Sequence, residues 1–150
     1  MHDWWTLISR LLLALMAGGA IGLNRGMAGK PAGTRTHMLI SLGAALYVMS
    51  AGHQHPGSDA ESRAIQGVAA GVGFLGAGEI VHRTKQGKPV PHNLTSAAAI
   101  WVAASAGVAA GVGLWELLVT ATALTLFALI VIKKIEGRFE SSTDSAPQDD

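Results

Sequence analysis

The sequence has no cysteine and few charged residues. The absence of cysteine excludes disulfide bonds, thiol catalysis and cysteine-ligated metals. Charged residues make up 14% of the 150 positions, whereas a soluble domain carries about 25%. The net charge of +1 gives no indication of a nucleic-acid partner. The apolar runs contain no nucleophile–base pair and no metal-ligand motif, so we expect neither an enzyme nor a cofactor.

Apolar residues are abundant instead, at 49% of the chain, and they form blocks separated by short polar loops. Because about 20 apolar residues cross the hydrocarbon core, this pattern predicts an all-α, polytopic membrane helix bundle of about five transmembrane helices. A cleaved signal peptide is a weaker interpretation of the N-terminus, since the apolar run continues to Leu23. The predicted spans are residues 4–23, 36–52, 64–81, 94–112 and 114–132.

The distribution of Lys and Arg predicts the orientation of the bundle. The segments that follow the first, third and fifth spans are basic, and the loop after the second is mainly acidic. Since basic loops favour the cytoplasmic side, we expect the N-terminus outside and the C-terminus in the cytoplasm. We assign residues 1–135 to the transmembrane domain. The polar tail, residues 136–150, buries too little apolar area to fold, and we expect it to be disordered.

Glycines recur at four-residue spacing in three of the predicted spans. In lipid, this spacing lets helix backbones approach closely. The string GVAAGVG occurs at 67–73 and again at 107–113, but the flanking residues differ, which favours two similar packing faces over a duplication. Packing within one bundle is the favoured interpretation, and docking to another membrane protein or to a second copy stays open. The predicted packing positions are Gly18, Gly22, Gly67, Gly71, Phe74, Gly78, Gly107 and Gly111.

A basic loop joins the first two spans and contains Arg25, Lys30 and Arg35. With exposed backbone N–H groups it suits an anionic lipid headgroup or a phosphate. The alternative is a topology signal without a specific ligand. Thr34 or Thr36 is expected to cap the helix that follows.

Glu79 is an acidic residue a few positions from the end of the third predicted span. His82 and Arg83 follow at i+3 and i+4, where helix side chains meet, so a structural pair of Glu79 with Arg83 is the favoured interpretation. Cation coordination or proton handling is the alternative, because ionisable residues inside spans are often functional.

The remaining polar candidates lie at helix starts and in one outer loop. His53 and His55, near Asp59 and Glu61, form a low-specificity pattern for a divalent metal, and we expect no confident metal site there. Near the outer boundary, Arg10 and Glu116 are expected to snorkel, and a direct pair between them is open. The candidates at helix starts are Asp59, Arg63 and Gln66 for the third helix, and Asn93 and Thr95 for the fourth.

Three blocks together resemble the MgtC/SapB family of bacterial inner-membrane proteins. They are KPAGTRTHML at 30–39, SRAIQGVAAGVGFLGAG at 62–78 and NLTSAAAIWVAASAG at 93–107. The resemblance covers about residues 10–132 and implies a small bundle with its N-terminus outside, similar to the short members that lack a C-terminal soluble domain. There are two departures. Asn24 stands where the family often has a glutamate, and Glu79 stands where an apolar residue is expected.

The resemblance also implies a function. Family members are linked to survival in low magnesium, in acid or in a host cell. The favoured hypothesis is a non-enzymatic regulator that contacts another integral membrane protein, such as the ATP synthase, within the lipid bilayer. The alternative is a transporter of Mg²⁺ or protons, or a subunit of one. The spans offer few mid-membrane charges for such a path, and Glu79 is the main candidate.

Overall fold

The computed structural model describes residues 3–53, 59–85, 88–132 and 134–135. Helices dominate this part of the chain. They are α1 (Trp4–Met27), α2 (Thr34–Gly52), α3 (Asp59–Glu79), α4 (Leu94–Val112) and α5 (Trp115–Phe127). A π-helical turn at Ala128–Ile132 continues α5, and an antiparallel hairpin of β1 (Val81–Lys85) and β2 (Lys88–His92) joins α3 to α4. The predicted helical bundle is confirmed, with this hairpin as an addition.

Three helices of the described chain are long and apolar enough to cross a membrane by length and composition. They are α1, α4 and α5 with its π-helical turn. The other two are also long, at 19 residues for α2 and 21 for α3, but they carry more polar and small residues. The described part therefore shows the five expected helices, of which three meet this criterion.

The ends of the helices follow from local chemistry. Asp3 caps α1, because its carboxylate accepts a 3.2 Å bond from the Trp5 N–H and a 2.8 Å bond from the Thr6 hydroxyl. Gly113 ends α4 in the left-handed region at φ 93°, which glycine adopts without steric cost. The N–H groups of Gly113 and Leu114 then both donate to the Ala109 carbonyl, which makes the turn into α5 tight.

The core lies where α2 packs between α1 and α4. Its buried residues are mostly alanine, among them Ala14 on α1, Ala45 on α2 and Ala103 on α4. Small side chains allow close helix contact, which in lipid supplies the van der Waals packing that holds a bundle together. By contrast, α3 buries only Val72 and Gly76, and α5 buries only Leu118, so these two helices lie at the periphery.

Two sets of glycines press directly against α2. A Cβ atom at Gly18 would lie 2.5 Å from the His37 carbonyl oxygen, and one at Gly22 would lie 2.7 Å from the Cα of Thr34. From α4, a Cβ at Gly107 would collide with the Ser41 carbonyl oxygen. Only glycine fits such backbone contacts without a shift. Small-residue faces of two neighbouring helices, α1 and α4, therefore lie in close contact with the backbone of α2.

Candidate functional site

A set of polar side chains is buried where α1, α2, α3 and α4 come together. We call it the polar cluster and define it as Arg25, His37, Ser41, Glu79 and Ser96. Four of the five are buried residues and Glu79 is half-buried. Polar groups inside a helical membrane bundle are costly, and their presence marks a candidate functional site.

Arg25 and Ser96 form the direct link in the polar cluster. The Arg25 guanidinium donates through Nη2 to the Ser96 hydroxyl oxygen at 2.7 Å. Arg25 lies in the last turn of α1, where a positive charge interacts well with the helix dipole, and it is only 4% exposed. Its Nε atom has no hydrogen-bond partner. The bond therefore satisfies one part of a buried cation and leaves another part unsatisfied.

His37 and Ser41 lie one turn apart on α2, on the face that α1 covers. The Nδ1 atom of His37 lies 2.9 Å from the Gly33 carbonyl, so Nδ1 carries the proton if this contact is a hydrogen bond. The other ring nitrogen, Nε2, and the Ser41 hydroxyl are buried with no partner. The polar cluster thus contains two buried groups, the His37 Nε2 atom and the Ser41 hydroxyl, that make no hydrogen bond.

Glu79 is the last residue of α3, and its charge acts on both Arg25 and His37. One carboxylate oxygen, Oε1, is buried without a hydrogen-bond partner. The predicted pairing of Glu79 with Arg83 rested on helical spacing, and that premise is wrong. The helix ends at Glu79 and strand β1 begins at Val81, so Arg83 is not one helical turn further along the same helix.

Glu79 also lines an open cleft of about 760 Å³ between α2 and α3. Arg35 and Thr36, both exposed at the start of α2, line the same cleft, as do Phe74 and Gly78 of α3. The structure therefore brings together five of the residues that the sequence singled out in separate segments.

The predicted glycine positions fall into two groups. Gly18 and Gly22 on α1 and Gly107 and Gly111 on α4 lie against α2 inside the bundle. A Cβ atom at Gly67, Gly71 or Gly78 would meet nothing within 4 Å, and Phe74 is 81% exposed. The glycine arc of α3 therefore makes no close packing contact within the described residues, and Gly67 and Gly71 instead line an open groove between α2 and α3.

The predicted helix-start residues occupy exposed positions or make no capping bond. Asp59, Arg63 and Gln66 are exposed along the first two turns of α3. Asn93 is the N-cap of α4, with the left-handed φ of 66°, but its side chain makes no capping hydrogen bond. Thr95 is exposed in the first turn of α4. The N-cap of α2 is Gly33, so neither Thr34 nor Thr36 caps it as predicted.

Arg10 and His53 border a second cleft, of about 420 Å³, at the opposite end of the bundle. Arg10 donates to the Gly111 carbonyl at 2.8 Å, near the carboxyl end of α4. Glu61 and Asp3 also line this cleft. Within the described chain, no three His, Asp or Glu residues are grouped as a metal would require. The predicted His53/His55 pattern is incomplete there, because His55 lies outside the described residues.

Sequence reasoning missed His37 and Ser41. A usable signal was present for both, since they lie four residues apart inside an apolar run and so share one helix face. For Ser96 the sequence indicates a hydroxyl able to bond across helices, and the structure supplies the partner, Arg25.

The fold and the buried polar cluster define a helical membrane protein. The model of the MgtC family matches residues 11–138, and the chain belongs to the MgtC family. The chain is 45% identical to the protein SrpB of Synechococcus elongatus, over 89% of this chain and 79% of SrpB. No solved structure matches.

Two longer relatives are also similar. YhiD of Escherichia coli strain K12, named as a candidate magnesium transporter, is 41% identical over 87% of this chain and 62% of YhiD. MgtC of Salmonella typhimurium is 34% identical over 93% of this chain and 58% of MgtC. The chain therefore spans less than two thirds of the length of these two relatives.

Proposed function

We propose that this protein is a non-enzymatic regulator in the bacterial inner membrane that binds another integral membrane protein through the glycine face of α3. The observation that carries the proposal is the bare glycine face of that helix. At about 100° per residue, Gly67, Gly71, Phe74 and Gly78 share one arc. The two buried residues of α3, Val72 and Gly76, lie on the opposite side.

A small-residue arc with one large apolar side chain is the kind of surface that helices use to associate in lipid. Its neighbour on the same side of the bundle is an apolar groove of about 620 Å³ between α2 and α3, lined in part by Leu39, Tyr47 and Gly71. A transmembrane helix of a partner could approach the backbone of α3 closely at the glycine arc and make apolar contacts in the groove. The family resemblance links such a role to magnesium limitation or acid stress, with the ATP synthase as a candidate partner.

The proposed topology places the N-terminus outside and the C-terminus in the cytoplasm, with the polar cluster near the cytoplasmic end. The basic residues Lys30 and Arg35 beside the cluster support it. A cysteine introduced into this cysteine-free chain tests the topology directly. An impermeant thiol reagent should label Ser50→Cys, on the outer half of α2, from outside the cell, and should leave Lys30→Cys unlabelled until the membrane is opened. The reverse pattern would contradict the proposal.

The regulatory role is tested by measuring ATP-driven proton pumping by the ATP synthase in inverted membrane vesicles. The purified protein is reconstituted into these vesicles together with the synthase. Wild type is expected to change the pumping rate, and Gly71→Ile is expected to remove that effect because the side chain fills the glycine arc. Gly73→Ile is the matched control, since Gly73 is also open to its surroundings but lies off the arc. Equal behaviour of the two variants would argue against docking through this face.

Cation transport is the second candidate function. Two observations favour it: the name of YhiD, and the partnerless oxygen of Glu79 within the influence of Arg25 and His37. The test is Mg²⁺ and proton flux in liposomes that contain the purified protein alone. Flux that Glu79→Gln abolishes would establish transport and overturn the regulator proposal. Absence of flux, together with an effect on ATP-driven pumping, is the expected result.

A further inference from the structure

A cleft of about 500 Å³ opens between the end of α1, the start of α4 and the end of α5. We call it the α1–α4 cleft. Two cations line it: Arg25 from the last turn of α1, and Lys30 from the loop that follows. None of the described residues that line this cleft is acidic. Glu79, whose charge acts on Arg25, lines the separate cleft between α2 and α3.

The amino terminus of α4 forms the second part of the cleft. Asn93, Leu94 and Thr95 line it, and no side chain caps the helix. The N–H groups of Ser96 and Ala97 are satisfied by the Asn93 carbonyl. The two N–H groups before them lie at the end of a helix of 19 residues, where the dipole favours an anion.

The unsatisfied guanidinium of Arg25 is the independent observation that points to a ligand. Arg25 is almost fully buried, lines this cleft, and has an Nε–H with no partner. Its Nη2 is bonded to Ser96, in the first turn of the same helix. A buried cation and an uncapped helix amino terminus thus lie side by side, and both are positive. An anion placed between the two would interact favourably with both.

We propose that the α1–α4 cleft binds a phosphate group, with Arg25, Lys30 and the amino terminus of α4 as its ligands. Phosphate oxygens match the fork of an arginine and the N–H groups of a helix terminus. The wall formed by Leu129 and Ile132 is apolar and belongs to a helix able to span the membrane. The same phosphate chemistry is therefore available from an anionic lipid, whose chains would lie along α5, or from a free phosphate.

The sequence interpretation assigned Arg35 to the same anion as Arg25 and Lys30. The structure separates them, because Arg35 lines the cleft between α2 and α3 and does not line the α1–α4 cleft. This separation supplies a matched control: Lys30→Gln and Arg35→Gln each remove one positive charge from the same short segment, but only the first removes a proposed ligand.

The lipid source is tested with the full chain in phosphatidylcholine nanodiscs that contain a minor fraction of phosphatidylglycerol. Native mass spectrometry counts the phosphatidylglycerol molecules retained by the protein. Lys30→Gln is expected to weaken retention about fivefold, the effect of one lost basic contact, and Arg35→Gln is expected to leave it unchanged. Arg25→Lys, which keeps the charge but removes Nε, is the second variant and is also expected to weaken retention.

The free-phosphate source is tested in maltoside micelles, which contain no phosphate group. Inorganic phosphate is titrated and the midpoint of thermal unfolding is followed, because a ligand that binds the folded state raises it. A saturable rise in wild type that Lys30→Gln shifts to higher concentration assigns the site to free phosphate. Retention of phosphatidylglycerol that inorganic phosphate does not displace assigns it to a lipid headgroup. Either result supports the site.

Two results would overturn the proposal. One is that neither phosphatidylglycerol nor inorganic phosphate binds saturably to the wild type. The other is that Lys30→Gln and Arg35→Gln weaken binding by the same factor, since this would show attraction to basic charge in general and not to the α1–α4 cleft.

Discussion

The Arg25 guanidinium and the Ser96 hydroxyl, 2.7 Å apart, join the end of α1 to the first turn of α4 across 71 positions of the sequence. Both residues are buried. The bond closes the bundle at the end where the polar cluster lies, and it fixes a cation next to a helix amino terminus. Loss of either partner would leave a buried polar group unsatisfied, which costs more than the bond itself contributes.

Ser96→Ala tests this link. The substitution removes the acceptor and leaves the buried Nη2 of Arg25 without a partner, so we expect it to lower the free energy of unfolding by about 1–2 kcal/mol. The measurement is an unfolding titration in mixed micelles with a denaturing detergent.

Ser105→Ala is the control for this substitution. The Ser105 hydroxyl is exposed and bonds only to the Trp101 carbonyl of its own helix. Its removal is expected to change the free energy of unfolding by less than about 0.5 kcal/mol. Equal losses in the free energy of unfolding from the two serine variants would show that the Arg25–Ser96 bond stabilises the protein no more than a bond within one helix.

Gly107→Ala tests the close contact of α4 with α2. The added Cβ would collide with the Ser41 carbonyl, so the helices must separate, at a cost of about 1–3 kcal/mol. Gly73→Ala is the matched variant on α3, where the added Cβ meets nothing within 4 Å. Because alanine favours a helix by about 1 kcal/mol over glycine, Gly73→Ala is expected to be neutral or stabilising. A lower thermal unfolding midpoint for Gly107→Ala together with an unchanged or higher one for Gly73→Ala would confirm the close contact of α4 with α2. A decrease of the midpoint in both variants would contradict it.

Gly71→Ile separates folding from docking. Nothing lies within 4 Å of a Cβ at Gly71, so we expect the free energy of unfolding of the isolated protein to change by less than about 0.5 kcal/mol. The same variant is expected to abolish the effect on proton pumping. A large loss of stability in detergent would mean that the glycine arc of α3 packs inside the bundle after all.

Arg10→Gln tests the opposite end of α4. Arg10 donates to the Gly111 carbonyl and its guanidinium also lies beside Gly113, so a positive charge stabilises the carboxyl end of the helix. Its removal is expected to cost about 1 kcal/mol locally. Hydrogen exchange is the suitable measurement, with faster exchange expected at the Gly113 and Leu114 amides. Arg63→Gln, at an exposed position on α3, is expected to leave those amides unchanged.

Much of the fold follows from the apolar blocks of the sequence. The fourth predicted span, residues 94–112, coincides with α4. The third was less accurate: apolar content predicted residues 64–81, whereas α3 runs from Asp59 to Glu79. The difference has a physical cause at each end. The first turn of α3 is polar and therefore lies outside the apolar run that predicted the span. At the other end, apolar content does not show where the helix stops and strand β1 begins.

The candidate site was only partly predictable. Glu79 and Arg25 were identified, because charges in or near apolar runs are conspicuous. His37 and Ser41 were not, because a polar residue becomes important only when another helix buries it. Which faces meet is decided by contacts such as that of Gly22 with Thr34, and a single sequence does not show which glycine faces which helix.

The glycine faces of α1 and α4 that meet α2 have a mechanical consequence. A helix in backbone contact with two neighbours can neither rotate nor slide without opening both interfaces, so α2 is a stiff element. The neighbouring helix α3 buries only Val72 and Gly76, so fewer buried contacts hold it in the bundle. A molecule that binds in the apolar groove between α2 and α3 would therefore shift α3 and move the Glu79 carboxylate at its end relative to Arg25. Binding in that groove would in this way change the electrostatic potential at the buried Arg25 guanidinium.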